Sequence, residues 1–441
     1  MINKFRKIKT KESNNLLLMR NLGNLNFIKR IFVFVGTLLI VNNICGQTHD
    51  KKNKKEILKS TIDSIIDTYI VNDKIPGAVI LVKEGNDVIL SKAYGYAQKY
   101  DFSHHLLVEP EKMTTEHLFD IASLTKVIGT TTSIMLLADK GLIKVDDPVS
   151  KFIPDFIGEN KDAVTIRHLL THTAGLYEWY PLYFMAKDKK ACLNLICSLP
   201  LKFPVGQQRR YSDLGFVLLG AIIEKVSGLS LDEFMQINIF KVLGMENTTY
   251  LPLKKSKFLK IAATSPGNPY EKRMVYDTTL GFRPKEIDPE SWNAWRTYVL
   301  KGEVNDGNTW YANEGVSGAA GLFSNAADLQ KLIDMLLNKG MVGKKRFISE
   351  KTIQSFFTKD KFKNGLGWML DNENAFMKDG PSGTFGHTGF TGTSISVVPQ
   401  KKISVILLIN RQNNGLMTNG EYFNVNPIRQ QVFKAVLRYS N

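Results

Sequence analysis

Hydrophobic residues recur along the chain with two periods, and the change from one to the other predicts its secondary structure. In "KKEILKSTIDSIIDTYIVND" (residues 54–73) they lie three or four apart, which is typical of an amphipathic helix. Two β-rich runs joined by "EGND" follow in residues 77–97 and predict a hairpin. From residue 128 onwards, the apolar stretch "IGTTTSIMLL" predicts the interior of a buried helix.

Helical spacing dominates the middle of the chain, and strand-like runs return after about residue 365. The clearest helices are "LDEFMQINIFKVLG" and "AADLQKLIDMLLNKG", and the second is predicted to end at a glycine C-cap. Strands are predicted in three later runs: "GLGWMLD" (365–371), "GTFGHTGFTGTSISVVP" (383–399) and "KKISVILLIN" (401–410).

This order of elements predicts an α+β fold, in which an antiparallel sheet is flanked by helices and joined to an all-helical lobe. A last helix, with Pro427 in its first turn, would cover the sheet. We expect a single domain over residues 55–441, with an α/β lobe (55–138 and 330–441) and a helical lobe (139–329). Because both ends of the chain supply strands, neither lobe should be stable alone.

The first residues are basic and then strongly apolar, which indicates a secretory leader. "NFIKR" precedes the apolar run "IFVFVGTLLIV" (31–41), and polar residues follow it. This run is shorter than the ~20 residues needed to span a membrane. We therefore assign residues 1–46 to a signal peptide or N-terminal leader, and we expect an exported protein of the periplasm or cell envelope. Left uncleaved, the leader would associate the protein with the membrane.

The net charge of +16 is concentrated near the N-terminus and does not indicate a nucleic-acid partner. Residues 1–56 hold 12 lysines and arginines against 3 acids, which leaves +7 for the rest of the chain. The hydrophobic fraction of 43% fits a globular protein with a large core. Cys192 and Cys197, five residues apart in a predicted helix, would point to different faces, so we expect buried thiols and no disulfide.

The sequence "DIASLTKV" (120–127) places a serine and a lysine three residues apart at the start of the apolar helix. Asp120 or Ser123 stands where an N-cap is expected, but a capping box would have an acid in place of Lys126. Residues three apart share a helix face, so the amine and the hydroxyl should touch. Burial without a counter-ion can lower a lysine pKa by ~3–5 units, which would let Lys126 take the proton of Ser123. The alternative is a capped helix with Lys126 turned to solvent.

Two further stretches, "RRYSDLGF" and "GTFGHTGFTG", hold the other candidates for chemistry. Tyr211 lies on a loop before an apolar helix, where a phenol in a positive pocket could exchange protons with Ser123. On the glycine-flanked strand, Thr388 offers a hydroxyl, and His387 offers a donor or a cation, to a substrate carboxylate. The amides of Ser123 and Phe390 could form an oxyanion hole. Taken singly, each stretch also fits ordinary packing.

Together the three motifs, Ser-x-x-Lys, Tyr-Ser-Asp and His-Thr-Gly, resemble those of serine β-lactamases and penicillin-binding proteins. Their intervals of 88 and 176 residues are similar to those of the branch that holds class C β-lactamases and D,D-carboxypeptidases. The likeness extends over residues 60–440 and implies a β-lactamase/transpeptidase-like fold. It also implies that Ser123 is acylated, that Lys126 and Tyr211 pass protons, and that neither a metal nor an organic cofactor takes part.

The resemblance assigns substrate binding to Asp213 and to the strand residues His387, Thr388, Gly389 and Phe390. Two of these residues depart from the family pattern. Asp213 stands where many members have asparagine, so it cannot donate an amide hydrogen bond to the substrate. His387 replaces the lysine of most β-lactamases, a change that is found among carboxypeptidases and esterases of the family.

These features predict an exported serine hydrolase that acts through an acyl-enzyme on the D-alanyl-D-alanine end of peptidoglycan peptides. We expect a monomer with a small-molecule or peptide substrate. A class C-like β-lactamase or a small-ester hydrolase is the first alternative, because acylation is common to all three. A non-catalytic protein that binds penicillin or cell-wall peptides is the second, although Ser123, Lys126 and Tyr211 are all present.

Three other features have weaker claims to a site. His168 and His172 have the i, i+4 spacing of zinc ligands, but the glutamate that the metalloprotease pattern requires is missing. Arg411, just after the last predicted strand, would either reach a carboxylate in the groove or lie on the surface. The segment 255–312 is rich in loops and aromatic residues, and we expect it to lie over one face of the domain.

Overall fold

The structure, a computed structural model, describes residues 52–255, 260–370 and 375–440. The predicted leader lies outside these ranges. The chain divides into two units, residues 1–60 and 61–441. Of the first unit, residues 52–60 are described and are helical; helix α1 runs over residues 52–71, where the hydrophobic spacing predicted it.

A six-stranded antiparallel sheet is assembled from the two ends of the second unit. Its strand order is β3-β2-β1-β10-β9-β8, so the first strand of the chain pairs with the last. Two short antiparallel pairs, β4 with β5 and β6 with β7, lie outside this sheet. The strands are β1 (Gly77–Glu84), β2 (Asp87–Tyr100), β3 (Leu106–Lys112), β4 (Phe119–Asp120), β5 (Phe323–Ser324), β6 (Met341–Val342), β7 (Lys345–Arg346), β8 (Phe385–Thr388), β9 (Ser394–Val398) and β10 (Ile403–Ile409).

Most of the helices lie between β4 and β8 in the chain. A π-helical turn, Lys126–Thr131, leads directly into the first of them. The helices after α1 are α2 (Thr132–Asp139), α3 (Ile166–Leu170), α4 (Lys189–Ser198), α5 (Asp213–Ser227), α6 (Leu231–Met235), α7 (Lys241–Leu243), α8 (Pro269–Tyr276), α9 (Ala326–Leu337), α10 (Glu350–Phe356) and α11 (Asn426–Tyr439).

The centre of the sheet is buried on both of its faces. Every residue of β10 is buried, and so are the first six of β1, because both strands are continuous apolar runs rather than alternating ones. Helix α9 packs against these two strands. A second apolar mass, formed by the helices between α2 and α10, is continuous with the side chains beneath the sheet. The antiparallel sheet with its helices confirms the predicted fold class.

Several local predictions are confirmed, and two are wrong. The β1–β2 hairpin, α11 with its N-terminal proline, and two buried free cysteines are present as expected. "GLGWMLD" does not form a strand, because the chain turns tightly there: Gly367 has φ +81° and bonds through its amide to Leu170. Helix α9 ends at Leu337, and its C-cap is Asn338 rather than a glycine.

Among the described residues no single helix is long and apolar enough to cross a membrane, although α5 together with Leu231–Leu243, bent by 75°, has the necessary length and composition.

Candidate active site

Ser123 lies on a strained turn between β4 and the π-helical turn. Ala122 has φ +44°, an unusual conformation for a residue with a side chain. The buried carboxylate of Asp120 holds this turn by accepting hydrogen bonds from the Ala122 amide (2.8 Å) and from the Asn305 amide (2.7 Å). Leu124 and Thr125 are already helical, so Ser123 occupies the predicted N-cap position, although within the described ranges its hydroxyl accepts no hydrogen bond from a backbone amide.

Lys126 points inward, and its amine is surrounded by oxygen atoms. Its side chain is 1% exposed, and Nζ lies 3.1 Å from Ser123 Oγ and 2.8 Å from the carbonyl oxygen of Ala319. The predicted contact between the amine and the serine hydroxyl is present, and the alternative of a lysine turned to solvent is excluded.

The predicted lack of a counter-ion for Lys126 is wrong. Its Nζ lies 2.7 Å from Oδ1 of Asp213, the first residue of α5. Burial alone would lower the pKa of Lys126, but attraction to Asp213, and to Tyr211, outweighs it and raises the pKa above its ordinary value. The resting site therefore holds a buried ammonium–carboxylate pair rather than a free amine.

Tyr211 is positioned from two sides. Ser212 caps α5 by accepting a bond from the Gly215 amide, and its own amide donates to Nδ1 of His172 (3.0 Å). The His172 ring stacks on the Tyr211 ring with 4.3 Å between centroids. The buried Tyr211 hydroxyl faces Ser123 and Lys126 but completes no hydrogen bond with a described residue, and Lys126 Nζ lies 5.2 Å from the ring centre. Burial raises the pKa of Tyr211, while the charge of Lys126 acts in the opposite direction.

The loop after β8 is fastened to the chain just before Ser123. The hydroxyl of Thr391 donates to the carbonyl oxygen of Asp120 (2.7 Å), and that of Thr393 donates to Ile121 (3.2 Å). Gly389 permits this approach, because a Cβ there would lie 2.5 Å from the Ile121 oxygen. Within the described ranges, neither the Ser123 amide nor the Phe390 amide donates a hydrogen bond, so both remain available to an oxyanion.

His387 does not carry the charge that the sequence suggested. Its side chain is 1% exposed, and burial, with the nearby charge of Lys126, lowers its pKa to about 3. Its Nδ1 lies 2.9 Å from the carbonyl oxygen of Thr388, which requires a hydrogen on Nδ1 and leaves Nε2 as an acceptor. The cationic role offered for His387 is therefore wrong, because a neutral ring whose N–H is already used cannot neutralise a carboxylate.

All the predicted site residues line one cleft of about 550 Å³. Besides these it is lined by Arg429 and Asn426 from α11, which the sequence reasoning missed. Arg429 is 8% exposed, and its Nη1 and Nη2 donate to Asn426 Oδ1 and to the carbonyl oxygens of Gly389 and Thr393. Its Nε has no hydrogen-bond partner, and no carboxylate lies within 4.0 Å of it in the described part of the chain. Burial and the charge of Arg411 lower its pKa to about 9, so it is still cationic at neutral pH. The sequence did contain a sign of this residue, because an arginine stands in the first turn of a predicted helix, where acidic residues are favoured.

The remaining candidates separate into structural and cleft-lining residues. His168 and Thr165 form the capping box at the start of α3. The His172 ring instead stacks on the Tyr211 ring, so the two histidines hold different parts of the structure. Arg411 lines the cleft, but its guanidinium donates to the carbonyl oxygens of Phe390 and Phe423. The segment 255–312 supplies much of one wall of the cleft, including Tyr270, Glu271, Phe282 and Asp306.

Comparison with protein families agrees with this geometry. The model of the Beta-lactamase family matches residues 62–424, which is more than half of the chain. The chain belongs to the β-lactamase family. It is a serine hydrolase of that family. A relative from Salmonella agona (strain SL483), named "Putative D-alanyl-D-alanine carboxypeptidase", is 34% identical over 361 residues, which cover 77% of this chain and 79% of the relative.

Solved structures of the family share its fold. A class C β-lactamase from Rhodobacter sphaeroides superposes with a TM-score of 0.60 at 19% identity, covering 86% of this chain and 99% of that one. A family VIII carboxylesterase superposes with a TM-score of 0.62 at 18% identity, covering 86% of this chain and 97% of that one. At these identities the likeness concerns the fold alone.

Proposed function

We propose that this β-lactamase-family hydrolase is an exported D,D-carboxypeptidase that removes the terminal D-alanine of peptidoglycan stem peptides. The observation that carries the proposal is the placement, in one cleft, of a serine–lysine pair and of the buried Arg429, whose charge no described carboxylate neutralises. The name of the Salmonella relative supports the same substrate. The basic and apolar leader supports export, which cell fractionation would test by the presence or absence of the protein in the envelope.

In the proposed reaction, Ser123 Oγ attacks the carbonyl carbon of the penultimate D-alanine. Because Lys126 is held as an ammonium by Asp213, it must first release that proton to solvent before its free amine accepts the Ser123 proton. The amides of Ser123 and Phe390 stabilise the oxyanion. Tyr211 relays a proton to the leaving nitrogen, D-alanine departs, and water then cleaves the ester on Ser123.

A free C-terminal carboxylate would lie between β8 and α11. Thr388 offers its hydroxyl, and Arg429 supplies the positive charge that His387 does not. A buried arginine with an unused donor gains most from a planar anion, because charge-assisted hydrogen bonds are roughly twice as strong as neutral ones. The dock therefore favours substrates that end in a carboxylate.

The test is hydrolysis of diacetyl-L-lysyl-D-alanyl-D-alanine, followed by release of D-alanine, with the protein and with Ser123→Ala. Intact-mass spectrometry after incubation with a penicillin accompanies it. We expect peptide hydrolysis and a lasting penicillin adduct, both lost in Ser123→Ala. Rapid penicillin turnover would favour a β-lactamase instead, and hydrolysis of short esters alone would favour an esterase. Absence of any adduct and any turnover would favour the non-catalytic alternative.

Lys126→Arg tests the proton-transfer role separately. The guanidinium preserves the charge beside Asp213 but cannot give up its proton. We expect penicillin acylation to be abolished while the thermal unfolding transition is retained. Acylation at the unaltered rate would show that Lys126 is not the base.

A further inference from the structure

One wall of the cleft carries an excess of carboxyl groups. Asp213, Asp306 and Glu271 all line it, and their charges interact, Asp213 with Asp306 and Asp306 with Glu271. Of these three acids, Asp213 alone forms an ion pair with Lys126, although the charge of Lys126 also acts on Asp306. Within the described ranges, no lysine or arginine lies within 4.0 Å of the Asp306 or Glu271 carboxyl group.

Glu271 is buried, yet half of its carboxyl group is unused. The side chain, on α8, is 9% exposed. Oε2 accepts the Gly307 amide at 2.9 Å and, at 3.5 Å, the side-chain amide of Asn268. Oε1 completes no hydrogen bond with a described residue, although the buried Tyr183 hydroxyl faces the same carboxyl group. The carboxyl group lies against the Cα of Gly307, where a Cβ would be 2.2 Å from Oε1. The backbone is therefore shaped to hold this acid in place.

Asp306 has a similar environment. Its carboxylate accepts the Thr309 amide at 2.7 Å and the side chain faces the cleft. In the described part of the chain, no three acidic, histidine or cysteine side chains come close enough together to hold a metal ion. The spread of these acceptors instead suits a ligand group that donates several hydrogen bonds in different directions, as an ammonium does.

We infer that Glu271 and Asp306 form a subsite for a primary ammonium group of the substrate. This inference rests on the proposed function and narrows its substrate class to D-alanyl-D-alanine peptides that carry a free amine upstream of the scissile bond. Binding of the ammonium ion would satisfy Oε1 of Glu271 and neutralise the charge that Lys126 leaves unpaired.

The experiment measures peptide binding to the Ser123→Ala protein by calorimetry, so that turnover does not interfere. Three forms of L-lysyl-D-alanyl-D-alanine are compared: the diacetylated peptide and the two monoacetylated peptides, with a free ε-amine or a free α-amine. We expect one free-amine form to bind at least about tenfold more tightly than the diacetylated form, as for a charge-assisted hydrogen bond. The form that binds more tightly shows whether the α-amine or the ε-amine occupies the subsite.

In Glu271→Gln this preference should fall to about threefold or less, because a neutral amide keeps the shape but not the charge. Asp306→Asn should act in the same direction. Glu290→Gln is the matched control, since this exposed acid belongs to the same segment but does not line the cleft. Equal affinity for all three peptides, or a preference that survives in Glu271→Gln and Asp306→Asn, would overturn the inference.

The pH dependence supplies a second readout. Burial, and then the charge of Asp306, raise the pKa of Glu271 to about 8, and the other groups that face it are Tyr183 and Arg296. An ammonium ion prefers the ionised carboxylate, so affinity for the peptide with a free ε-amine should rise between pH 6 and pH 9. For the peptide with a free α-amine the rise should stop near pH 8, where that amine loses its own proton. The diacetylated peptide should show no such rise. A parallel pH profile for both peptides counts against the subsite.

The outcomes separate this inference from the proposed function. Binding and hydrolysis of the diacetylated peptide without any preference for an amine would leave the carboxypeptidase proposal standing and remove the subsite. The opposite result is also possible: a free-amine peptide binds tightly, Glu271→Gln loses that binding, and the unaltered enzyme releases no D-alanine. That result would support the subsite and remove the carboxypeptidase proposal. If none of the peptides binds, both proposals fail.

Discussion

Lys126 shows how a single contact decides the protonation state of a site. The amine is almost fully buried, which on its own favours the neutral form. Asp213 lies 2.7 Å away and reverses that preference. The local sequence around Lys126 contains no acid after Asp120, and the counter-ion comes from α5, 87 residues further along the chain. Local sequence therefore predicts the burial but not the charge.

Asp213→Asn tests this balance. Without the carboxylate, burial dominates and the pKa of Lys126 should fall, so the rising limb of the acylation rate against pH should move to lower pH by at least about one unit. The measurement is the rate of penicillin adduct formation between pH 5 and pH 10. An unchanged limb would mean that the Lys126–Asp213 pair does not control acylation.

His387→Asn tests the neutral state of the buried imidazole. The pKa of His387 is about 3 in the folded protein and near 6.5 in the unfolded chain, so protons bind the unfolded state first as the pH falls. That histidine thus removes about 1.4 kcal/mol of stability per pH unit below 6.5. Between pH 7.5 and pH 5, the unfolding free energy of the variant relative to the parent should rise by about 2 kcal/mol. A constant difference would imply that His387 has the same pKa in the folded protein as in the unfolded chain.

At the scale of elements, tight backbone approaches bring the motifs together. The β8–β9 loop touches the chain before Ser123 through Thr391, Thr393 and Gly389. Hydrophobic period predicted β8, β9 and α5 correctly, since each has a buried face. It failed at "GLGWMLD", where a positive φ and contacts with Thr131 and Leu170 decide the conformation.

Gly389→Ala should separate this loop from Ser123. The added methyl group would lie 2.1 Å from Thr393 Oγ1 and 2.5 Å from the Ile121 oxygen, so the backbone must move. We expect a loss of about 1–3 kcal/mol of stability and at least a tenfold slower acylation. Gly215→Ala in α5 is the control, because its new contacts with Leu169 would be at 3.7 Å or more and should cost nothing. Equal behaviour of the two variants would contradict the role of Gly389.

At the scale of the whole molecule, the sheet joins the two ends of the chain. Strand β1 pairs with β10 over seven residues, and without β10 the sheet would split into β3-β2-β1 and β9-β8. The cleft needs both ends as well, since Ser123 follows β4 while Arg429 lies on α11. We therefore expect the cleft to form only when the whole domain folds, because its residues come from both ends of the chain.

A chain that stops at residue 402 should not unfold cooperatively. It lacks the central buried strand, whose partners would then expose their apolar faces. Removing residues 1–46 should leave the melting transition unchanged, if they are a leader as predicted. Circular dichroism and thermal melts distinguish the two chains, and a cooperative transition in the C-terminally truncated chain would contradict the single-domain interpretation.

By itself, the sequence determined the fold class, the order of the main elements and the spacing of the three motifs, because these depend on hydrophobic period and on residues close in the chain. Only the tertiary structure decided which charges face one another. It paired Lys126 with Asp213, left His387 neutral, and brought Arg429 and Glu271 into the cleft. Charge interactions act over a few ångströms of space, whatever the number of residues that lies between the groups.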